Sequence, residues 1–372
     1  MTEPIRMQRS SRDPAETQQR LERWLADVLG AGSQPRIRDL AGTDANGMSS
    51  DTVLFSASWQ EDGKQHDERL VARLAPTEAD VPVFETYNLA AQYDAIRQVA
   101  DLTQVPVPRV WWCETSPQPL GTPFFVMSRV DGIVPPDVMP YTFGDNWLYD
   151  ASPEEQRKLQ ESTIEQIAAL HRIDNPTQRF PFLERTAPGD SHLRRHVAHT
   201  KAWYDMVARE GAPSALVENT FAWLEDHWPA HESAPVFSWG DSRIGNVLYQ
   251  DFEPVALLDW EMAGLGPAEL DIAWIIYAHR VFEDIAAVFE LRGMPGFMTA
   301  ADVASQYEKL TGYAIRNLRF YMVYCALQWA VVFLRTGARA VHFGEQEMPA
   351  DTTEFIRNSM HFDALLDDVD ND

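Results

Sequence analysis

The sequence predicts an α+β protein with two parts, a small β-rich part followed by a larger, mainly helical part. Residues 35–75 contain apolar residues that alternate with polar ones, which is typical of strands with one buried face. Most of the chain after residue 131 instead repeats apolar residues at helical spacing. With 372 residues, of which 45% are hydrophobic, the chain is long enough to build two substantial cores.

A polar leader and one helix are predicted for residues 1–34. Asp13-Pro14-Ala15-Glu16 predicts the start of this helix, with Asp13 as N-cap, Pro14 at the first helical position and Glu16 completing a capping box. Apolar residues at helical spacing follow, and Gly30 ends the run. We expect this helix to pack on the β-rich part.

Residues 35–130 are predicted to hold the strands. Val53–Trp59 and Arg69–Leu74 flank Asp62-Gly63, a dipeptide that favours a hairpin turn. A helix is expected from about Val83 to Val99, and Pro123–Met127 is predicted to be a further strand.

Residues 131–372 are predicted to be mainly helical. The expected helices are Glu154–Leu170, Leu193–Val207, Phe221–Trp228, Asp271–Val288, Asp302–Leu310 and a helix containing Phe320–Leu334. Val236–Asp259 interrupts them with two short strands. Asp131–Pro140 is rich in proline and resembles a linker, and the aromatic stretch Val134–Tyr149 is a candidate pocket lining.

The composition excludes several classes of partner. A net charge of −25 argues against nucleic acid and against anionic membrane, because both require a basic patch. It is compatible with a cationic substrate, although a solvated acidic surface explains it more simply. Phe320–Leu334 is shorter than the roughly 20 residues that span a bilayer, and Gln328 interrupts it. The N-terminus lacks an apolar signal core and the two cysteines read as free thiols, so we expect a cytoplasmic protein.

Three polar residues form the candidate site: Asp241, Asn246 and Asp259. They are separated by five and thirteen residues, and an apolar run precedes both aspartates. Asp and Asn are common in turns for local reasons, so each residue alone indicates little. Together they match the site of a kinase, in which one carboxylate faces a substrate hydroxyl while an amide and a second carboxylate hold Mg²⁺ on the phosphates of ATP. Arg243 lies two residues after Asp241, and we expect its guanidinium to reach the γ-phosphate.

Several segments resemble the aminoglycoside phosphotransferase family, which has a bilobal, protein-kinase-like fold. These segments are Val105–Val110, Leu120–Gly132, Ile167–Asp174 and, most specifically, Trp239–Trp274. The chain is most similar to the subgroup that includes the kinase-like domains of acyl-CoA dehydrogenase fusion proteins. The resemblance covers roughly residues 35–290. It implies a nucleotide-binding N-lobe at 35–130 and a catalytic, substrate-binding C-lobe at 131–372.

The resemblance also implies a role for individual residues. Asp241 resembles the catalytic base, and Asn246 and Asp259 resemble the magnesium ligands. The remaining residues matched to the family are Arg73 as the basic contact to ATP, Gly47 and Ser49 in the phosphate-covering loop, Ser128 and Val130 in the adenine-reading hinge, and Asp271 as the acid that braces the catalytic loop.

Two positions depart from the family pattern. Trp239 stands where the family usually has His, and we expect it to change loop packing without removing chemistry. The acid that pairs with the strand cation is also displaced: Gln92 occupies the expected helical position, and Glu85 is the nearest acid. An Arg73–Glu85 pair is therefore a hypothesis. His171 is interpreted as a packing histidine at a helix end, and the helically spaced His192, His196 and His199 are not taken as a zinc site.

The expected function is an ATP- and Mg²⁺-dependent phosphotransferase that acts on a hydroxyl of a small molecule. The acceptor is left open between an aminoglycoside-like polycation and another hydroxylated metabolite, including hydroxyacyl-CoA-type compounds. A catalytically silent nucleotide-binding module of the same fold and a nucleotidyl transferase are the alternatives. The sequence does not indicate an oligomeric state.

Overall fold

The computed structural model describes residues 12–42, 50–137, 139–357, 359, 362, 365 and 366. These residues form two compact units. The first contains the described residues up to Asp101 together with Val107–Asp131, and the second contains Leu102–Pro106 and the described residues from Gly132 onward. A β-sheet dominates the first unit and helices dominate the second, which confirms the α+β class predicted from the sequence.

The first helix, α1 (Pro14–Leu29), begins and ends where local sequence predicts. The Asp13 side chain accepts a hydrogen bond from the Glu16 amide at 2.8 Å, and Gly30 adopts φ 81°, which an L-residue with a side chain rarely does. The apolar stripe of α1 lies buried in the core of the first unit. Its core residues are Leu21, Trp24 and Leu25.

A five-stranded antiparallel sheet forms the body of the first unit, in the order β1-β2-β3-β5-β4. The strands are β1 (Arg36–Gly42), β2 (Asp51–Glu61), β3 (Lys64–Leu74), β4 (Val110–Glu114) and β5 (Phe124–Ser128). Strand β2 buries every second residue from Asp51 to Trp59, so the predicted alternation corresponds to one face packed on the core. The Asp62-Gly63 turn joins β2 to β3 as predicted.

The helix predicted from Val83 starts later: α2 spans Leu89–Leu102. The Asn88 side chain accepts a hydrogen bond from the Ala91 amide at 3.0 Å, and this cap sets the start of the helix. Glu85 consequently lies exposed in the irregular segment before α2. The hypothesis that Glu85 sits on this helix is therefore wrong, because the capping asparagine overrides the apolar pattern upstream of it.

The second unit contains seven helices among its described residues. They are α3 (Pro153–His171), α4 (Pro176–Arg179), α5 (His192–Arg209), α6 (Ala215–Asp226), α7 (Glu269–Val288), α8 (Ala300–Thr311) and α9 (Leu318–His342). Capping explains several boundaries. In α3, for example, Ser152 and Glu155 form a capping box and Pro153 occupies the first turn.

Helix α9 is long and apolar enough to cross a membrane by length and composition, and it is the one such helix in the described part of the chain. However, 72% of its most apolar window is buried, and α9 packs against α5, α6 and α7. Its predicted role as a buried helix agrees with this packing, although the helix extends to His342, eight residues beyond Leu334.

Four short strands lie between α6 and α7, where the sequence predicted two. β6 (Val236–Ser238) pairs with β9 (Gly264–Gly266), and β7 (Val247–Gln250) pairs with β8 (Glu253–Leu257). The Gly-Leu-Gly sequence of β9 has little strand propensity, and its conformation depends on pairing with β6. These two ribbons carry the catalytic loop and Asp259.

Candidate active site

The carboxylate of Asp241 lies at the centre of a hydrogen-bonded cluster in the loop between β6 and β7. Trp274 of α7 donates its indole N–H to Oδ1 at 2.6 Å, and Asn246 donates Nδ2 to Oδ2 at 2.7 Å. Arg243 donates Nε to both oxygens, at 3.1 and 3.2 Å. The side chain is 16% exposed. Three donors thus fix its orientation while it still reaches solvent.

Arg243 is shared between two carboxylates. Its Nη1 forms an ion pair with Asp137, and the two side chains are only 17% and 13% exposed. Burial alone would lower the pKa of Arg243, but the charges of Asp137 and Asp241 outweigh it and raise that pKa above its ordinary value. Gly245 makes this approach possible, because a Cβ there would lie 2.5 Å from Asp137 Oδ1.

Asp137 belongs to the proline-rich stretch that resembled a linker. That stretch is instead packed within the second unit: Ile133 forms a β-bridge with Tyr249, and Asp137 reaches the catalytic loop. The linker interpretation is therefore wrong, since a strand partner and an ion pair hold the segment. Tyr141 and Phe143 of the adjoining aromatic stretch are core residues, 2% and 5% exposed.

Asp271 is fully buried at the start of α7 and supports, through hydrogen bonds, the loop that carries Asp241. Its carboxylate accepts from the Trp239 amide at 2.7 Å, the Gly240 amide at 2.9 Å and Ser238 Oγ at 2.8 Å. His171 contacts the same carboxylate through Nε2 at 3.0 Å, and its Nδ1 lies 2.8 Å from the Tyr307 hydroxyl. Asp271 thus has the bracing contacts expected of it, and His171 is a satisfied packing histidine.

A backbone hydrogen bond joins the segments that carry Asn246 and Asp259. The amide of Leu258 donates to the Asn246 carbonyl at 2.8 Å, so the residue preceding Asp259 is tied to the end of the catalytic loop. Asp259 adopts φ 57°, a left-handed conformation that aspartate tolerates better than most residues. The chain turns there, between β8 and the short 3₁₀ helix Trp260–Met262.

The Asn246 side chain leaves one oxygen available to a hard divalent cation. Because Nδ2 of Asn246 points at the acceptor-only Asp241 carboxylate, its Oδ1 is the atom left for a cation, and it makes no hydrogen bond among the described residues. Within the described residues, no group of three or more His, Cys, Asp or Glu side chains could hold a metal ion. One amide oxygen and one carboxylate suit Mg²⁺, which keeps water and phosphate oxygens for its other positions.

Trp239 links Asp271 to the segment that carries Asp259. Its side chain is fully buried, and its indole N–H donates to the Leu258 carbonyl at 2.9 Å. It also packs near Trp260, with ring centroids 6.1 Å apart. The substitution of the usual His by Trp239 therefore supports loop packing, as expected.

Comparison with known proteins identifies the family of the chain. The model of a family described as the phosphotransferase enzyme family, APH, matches residues 43–295, more than half of the chain. This chain belongs to that phosphotransferase family. The resemblance identified from the sequence is thereby confirmed.

The relatives of this phosphotransferase-family chain include the subgroup expected from the sequence. It is 25% identical over 257 residues to the Arabidopsis thaliana protein named Probable acyl-CoA dehydrogenase IBR3, covering 65% of this chain and 30% of that protein. It is 30% identical over 227 residues to acyl-CoA dehydrogenase family member 11 of Gallus gallus, covering 59% and 27% respectively. The chain therefore spans less than a third of the length of these relatives.

A solved structure shares the fold. A provisionally assigned aminoglycoside phosphotransferase from Ralstonia eutropha JMP134 matches with a TM-score of 0.64 at 19% identity, covering 93% of this chain and 96% of that one. At this identity the likeness establishes the fold, which is the aminoglycoside phosphotransferase type of kinase-like fold.

Three of the residues expected to contact the nucleotide, Arg73, Ser128 and Val130, lie in the first unit. Arg73 on β3 donates Nη1 to Thr52 Oγ1 at 3.1 Å. The Ser128 amide donates to the Arg109 carbonyl at 2.8 Å, whereas the Val130 backbone makes no backbone hydrogen bond among the described residues. Val130 therefore has the freer backbone of the two hinge residues. Gly47 and Ser49 lie outside the described residues.

Sequence reasoning missed two contributors to the site, Asp137 and Trp274. Trp274 was recognised only as the end of a motif, and Asp137 fell in the apparent linker. No local sequence signal marks their roles, because Asp137 reaches Arg243 across 106 positions and Trp274 reaches Asp241 across 33.

Proposed function

We propose that this chain is an ATP- and Mg²⁺-dependent phosphotransferase that moves the γ-phosphate of ATP to a hydroxyl of a small molecule. The observation that carries the proposal is the Asp241 carboxylate, held by Trp274, Arg243 and Asn246 and still open to solvent. A silent nucleotide-binding module has no need to orient a carboxylate in this way.

Asp241 acts as the group that receives the acceptor's proton. The acceptor oxygen forms a bond to the γ-phosphorus, the bond from that phosphorus to the ADP oxygen breaks, and the hydroxyl proton passes to an oxygen of Asp241. Holding the carboxylate in one orientation contributes by keeping the acceptor oxygen in line with the phosphorus.

Asn246 and Asp259 are the residues that would hold Mg²⁺. The bound ion supplies positive charge that offsets the phosphate charge developing during transfer. The protein's own contribution is to present two oxygen ligands from segments tied together by the Leu258–Asn246 hydrogen bond.

Arg243 is proposed to donate to the transferring phosphoryl group. Its Nε and Nη1 are engaged by Asp241 and Asp137, while Nη2 has no hydrogen-bond partner among the described residues. A guanidinium fixed on two sides can present its remaining N–H groups without further loss of side-chain entropy.

ATP is proposed to contact Arg73, the loop with Gly47 and Ser49, and the backbone at Ser128 and Val130. These assignments rest on the family motif, and the unused Val130 backbone supports the last of them. The acceptor is a hydroxylated small molecule. Aminoglycosides are one class, and the names of the acyl-CoA dehydrogenase relatives make hydroxyacyl-CoA-type acceptors a second.

The test is ADP release from Mg²⁺-ATP over a panel of amino sugars, hydroxy acids and hydroxyacyl-CoA compounds, with the mass of each product measured. Phosphoryl transfer adds a phosphate to the acceptor, whereas nucleotidyl transfer adds a nucleotide. We expect acceptor-dependent ADP release that Asp241→Ala abolishes. Equal, acceptor-independent background in the wild type and Asp241→Ala would instead support the silent module.

A further inference from the structure

Among the residues that the structure describes, no carboxylate pairs with the guanidinium of Arg185. Arg185 lies in the segment between α4 and α5 of the second unit, and among the described residues its guanidinium makes one hydrogen bond, from Nη2 to His196 Nε2 at 3.3 Å. Its Nε is fully shielded from solvent and has no partner. The residue as a whole is half-buried, so part of the guanidinium remains accessible.

The side chains that hydrogen-bond to Arg185, directly or through one another, form a neutral chain. Because a guanidinium only donates, His196 Nε2 must accept, which leaves the His196 proton on Nδ1, 2.6 Å from the Tyr324 hydroxyl. Burial, and secondarily Arg185, lowers the pKa of His196 well below its usual range. Tyr324 in turn bonds Thr200 at 2.7 Å. This chain of hydrogen bonds positions the Arg185 guanidinium but leaves its positive charge uncompensated.

One contact places Arg185 near the catalytic loop. Gly264 of β9 pairs with Ser238, three residues before Asp241, and a Cβ on Gly264 would lie 3.7 Å from Arg185 Nη2. In the same segment, the carbonyl of Met262 packs so closely on Gly240 that a Cβ on Gly240 would collide with it. Arg185 therefore packs against β9, whose partner strand β6 leads directly into the loop that carries Asp241.

A half-buried cation with unused donors loses hydration that nothing in the protein replaces, and an anion is the partner that restores it. We propose that Arg185 binds an anionic group, a carboxylate or a phosphate, of the acceptor whose hydroxyl meets Asp241. This inference rests on the proposed phosphotransferase activity and narrows its acceptor to acidic hydroxy compounds. A polycationic acceptor would place like charge against Arg185.

The test uses a series of ω-hydroxyalkanoates of increasing chain length, which varies the distance between the hydroxyl and the carboxylate. Each acid is compared with its methyl ester, which keeps the hydroxyl and removes the charge. A parallel series of ω-hydroxyalkyl phosphates distinguishes a phosphate from a carboxylate. With Mg²⁺-ATP, we expect the best acid or phosphate to exceed its uncharged counterpart about tenfold or more in kcat/KM.

Arg185→Gln should remove this preference by raising KM for the anionic compound about tenfold or more, while activity on the ester stays unchanged. Arg209→Gln removes an equal charge from an exposed position on α5 and is the matched control. Thermal stability of Arg185→Gln should equal or exceed that of the wild type, since no ion pair is lost. Equal preference for acid and ester in the wild type, or an unchanged preference in Arg185→Gln, would overturn the subsite.

A binding readout separates this proposal from the activity itself. Without nucleotide, the hydroxyalkanoate or the alkyl phosphate should raise the melting temperature of the wild type and of Arg209→Gln, but not that of Arg185→Gln. Absence of any shift with both series overturns the anion subsite, even if amino sugars release ADP and the phosphotransferase proposal stands. A shift without ADP release from any acceptor supports the subsite and counts against the phosphotransferase proposal.

Discussion

Trp274 donates its indole N–H to Oδ1 of Asp241 across 2.6 Å. The two residues are 33 positions apart in sequence, and one belongs to a core helix while the other lies in a loop. Trp274 and Asp271 both lie on α7. One helix therefore holds the catalytic loop through Asp271 and orients the Asp241 carboxylate through Trp274.

Replacing Trp274 by Phe should lower kcat about tenfold, because Asp241 loses a short hydrogen bond that fixes its direction. KM for ATP should change little. Steady-state kinetics with the best acceptor measures both. Trp329→Phe is the matched control: the Trp329 ring packs beside Trp274, but its indole N–H has no partner within the described part of the chain. Similar kcat values for the two variants would contradict the orienting role.

Asp271→Asn should destabilise the second unit by about 2–4 kcal/mol. The amide has one acceptor oxygen where the carboxylate has two, so its NH₂ group would oppose either the Trp239 amide or the Gly240 amide, which donate to different oxygens of Asp271. Urea unfolding at neutral pH measures the loss. Asp226→Asn, at the exposed end of α6, should stay within about 0.5 kcal/mol of the wild type. Equal stability of the two variants would argue that the hydrogen bonds of Asp271 do not stabilise the loop.

The Asp137–Arg243 pair should show coupling in a double-mutant cycle. Asp137→Asn, Arg243→Gln and the double variant are expected to give an interaction free energy of about 1–3 kcal/mol, because both groups are largely buried. Thermal or urea unfolding supplies the four free energies. The exposed Arg69–Asp131 pair, with side chains 53% and 60% exposed, should show no measurable coupling. Additive effects at Asp137 and Arg243 would refute the pairing.

The assignment of Asn246 and Asp259 to the metal predicts a specific kinetic effect. Asn246→Ala and Asp259→Asn should each raise the Mg²⁺ concentration that gives half-maximal activity, by about tenfold or more. A Mg²⁺ titration at saturating ATP and acceptor tests this, and chelation by EDTA should abolish activity. Glu253→Gln on β8 removes a charge from a residue paired with Lys158 on the surface and should leave the titration unchanged.

Because His279 is buried, we expect the free energy of unfolding to depend on pH. Burial lowers the pKa of His279 to about 4 in the folded chain, against about 6.5 when unfolded. The unfolded chain therefore takes up a proton first as the pH falls, and the folded state loses up to about 3 kcal/mol between pH 6.5 and 4. Unfolding free energies across this range should fall less steeply for His279→Gln. His227→Gln, at an exposed position after α6, should keep the wild-type slope.

The elements predicted correctly are those whose signals are local. Asp13 and Ser152 mark helix starts because a cap acts within four residues, and the alternation in β2 marks a strand because pleating has period two. The start of α2 was missed because Asn88 caps it without a capping box, a weaker sequence signal. The helix therefore begins later than the apolar periodicity suggested. β9 was missed because only its partner β6 makes it a strand.

The sequence by itself determined the family, the α+β class and the spacing of Asp241, Asn246 and Asp259, since these depend on residue type and short-range order. The tertiary structure alone decided that Asp137 reaches Arg243 across 106 positions, that Trp274 aims Asp241 and that Arg185 lies beside β9 with no carboxylate partner in the part of the chain described. Contacts between distant segments arise from how helices and ribbons pack, and neither periodicity nor motif spacing records that packing.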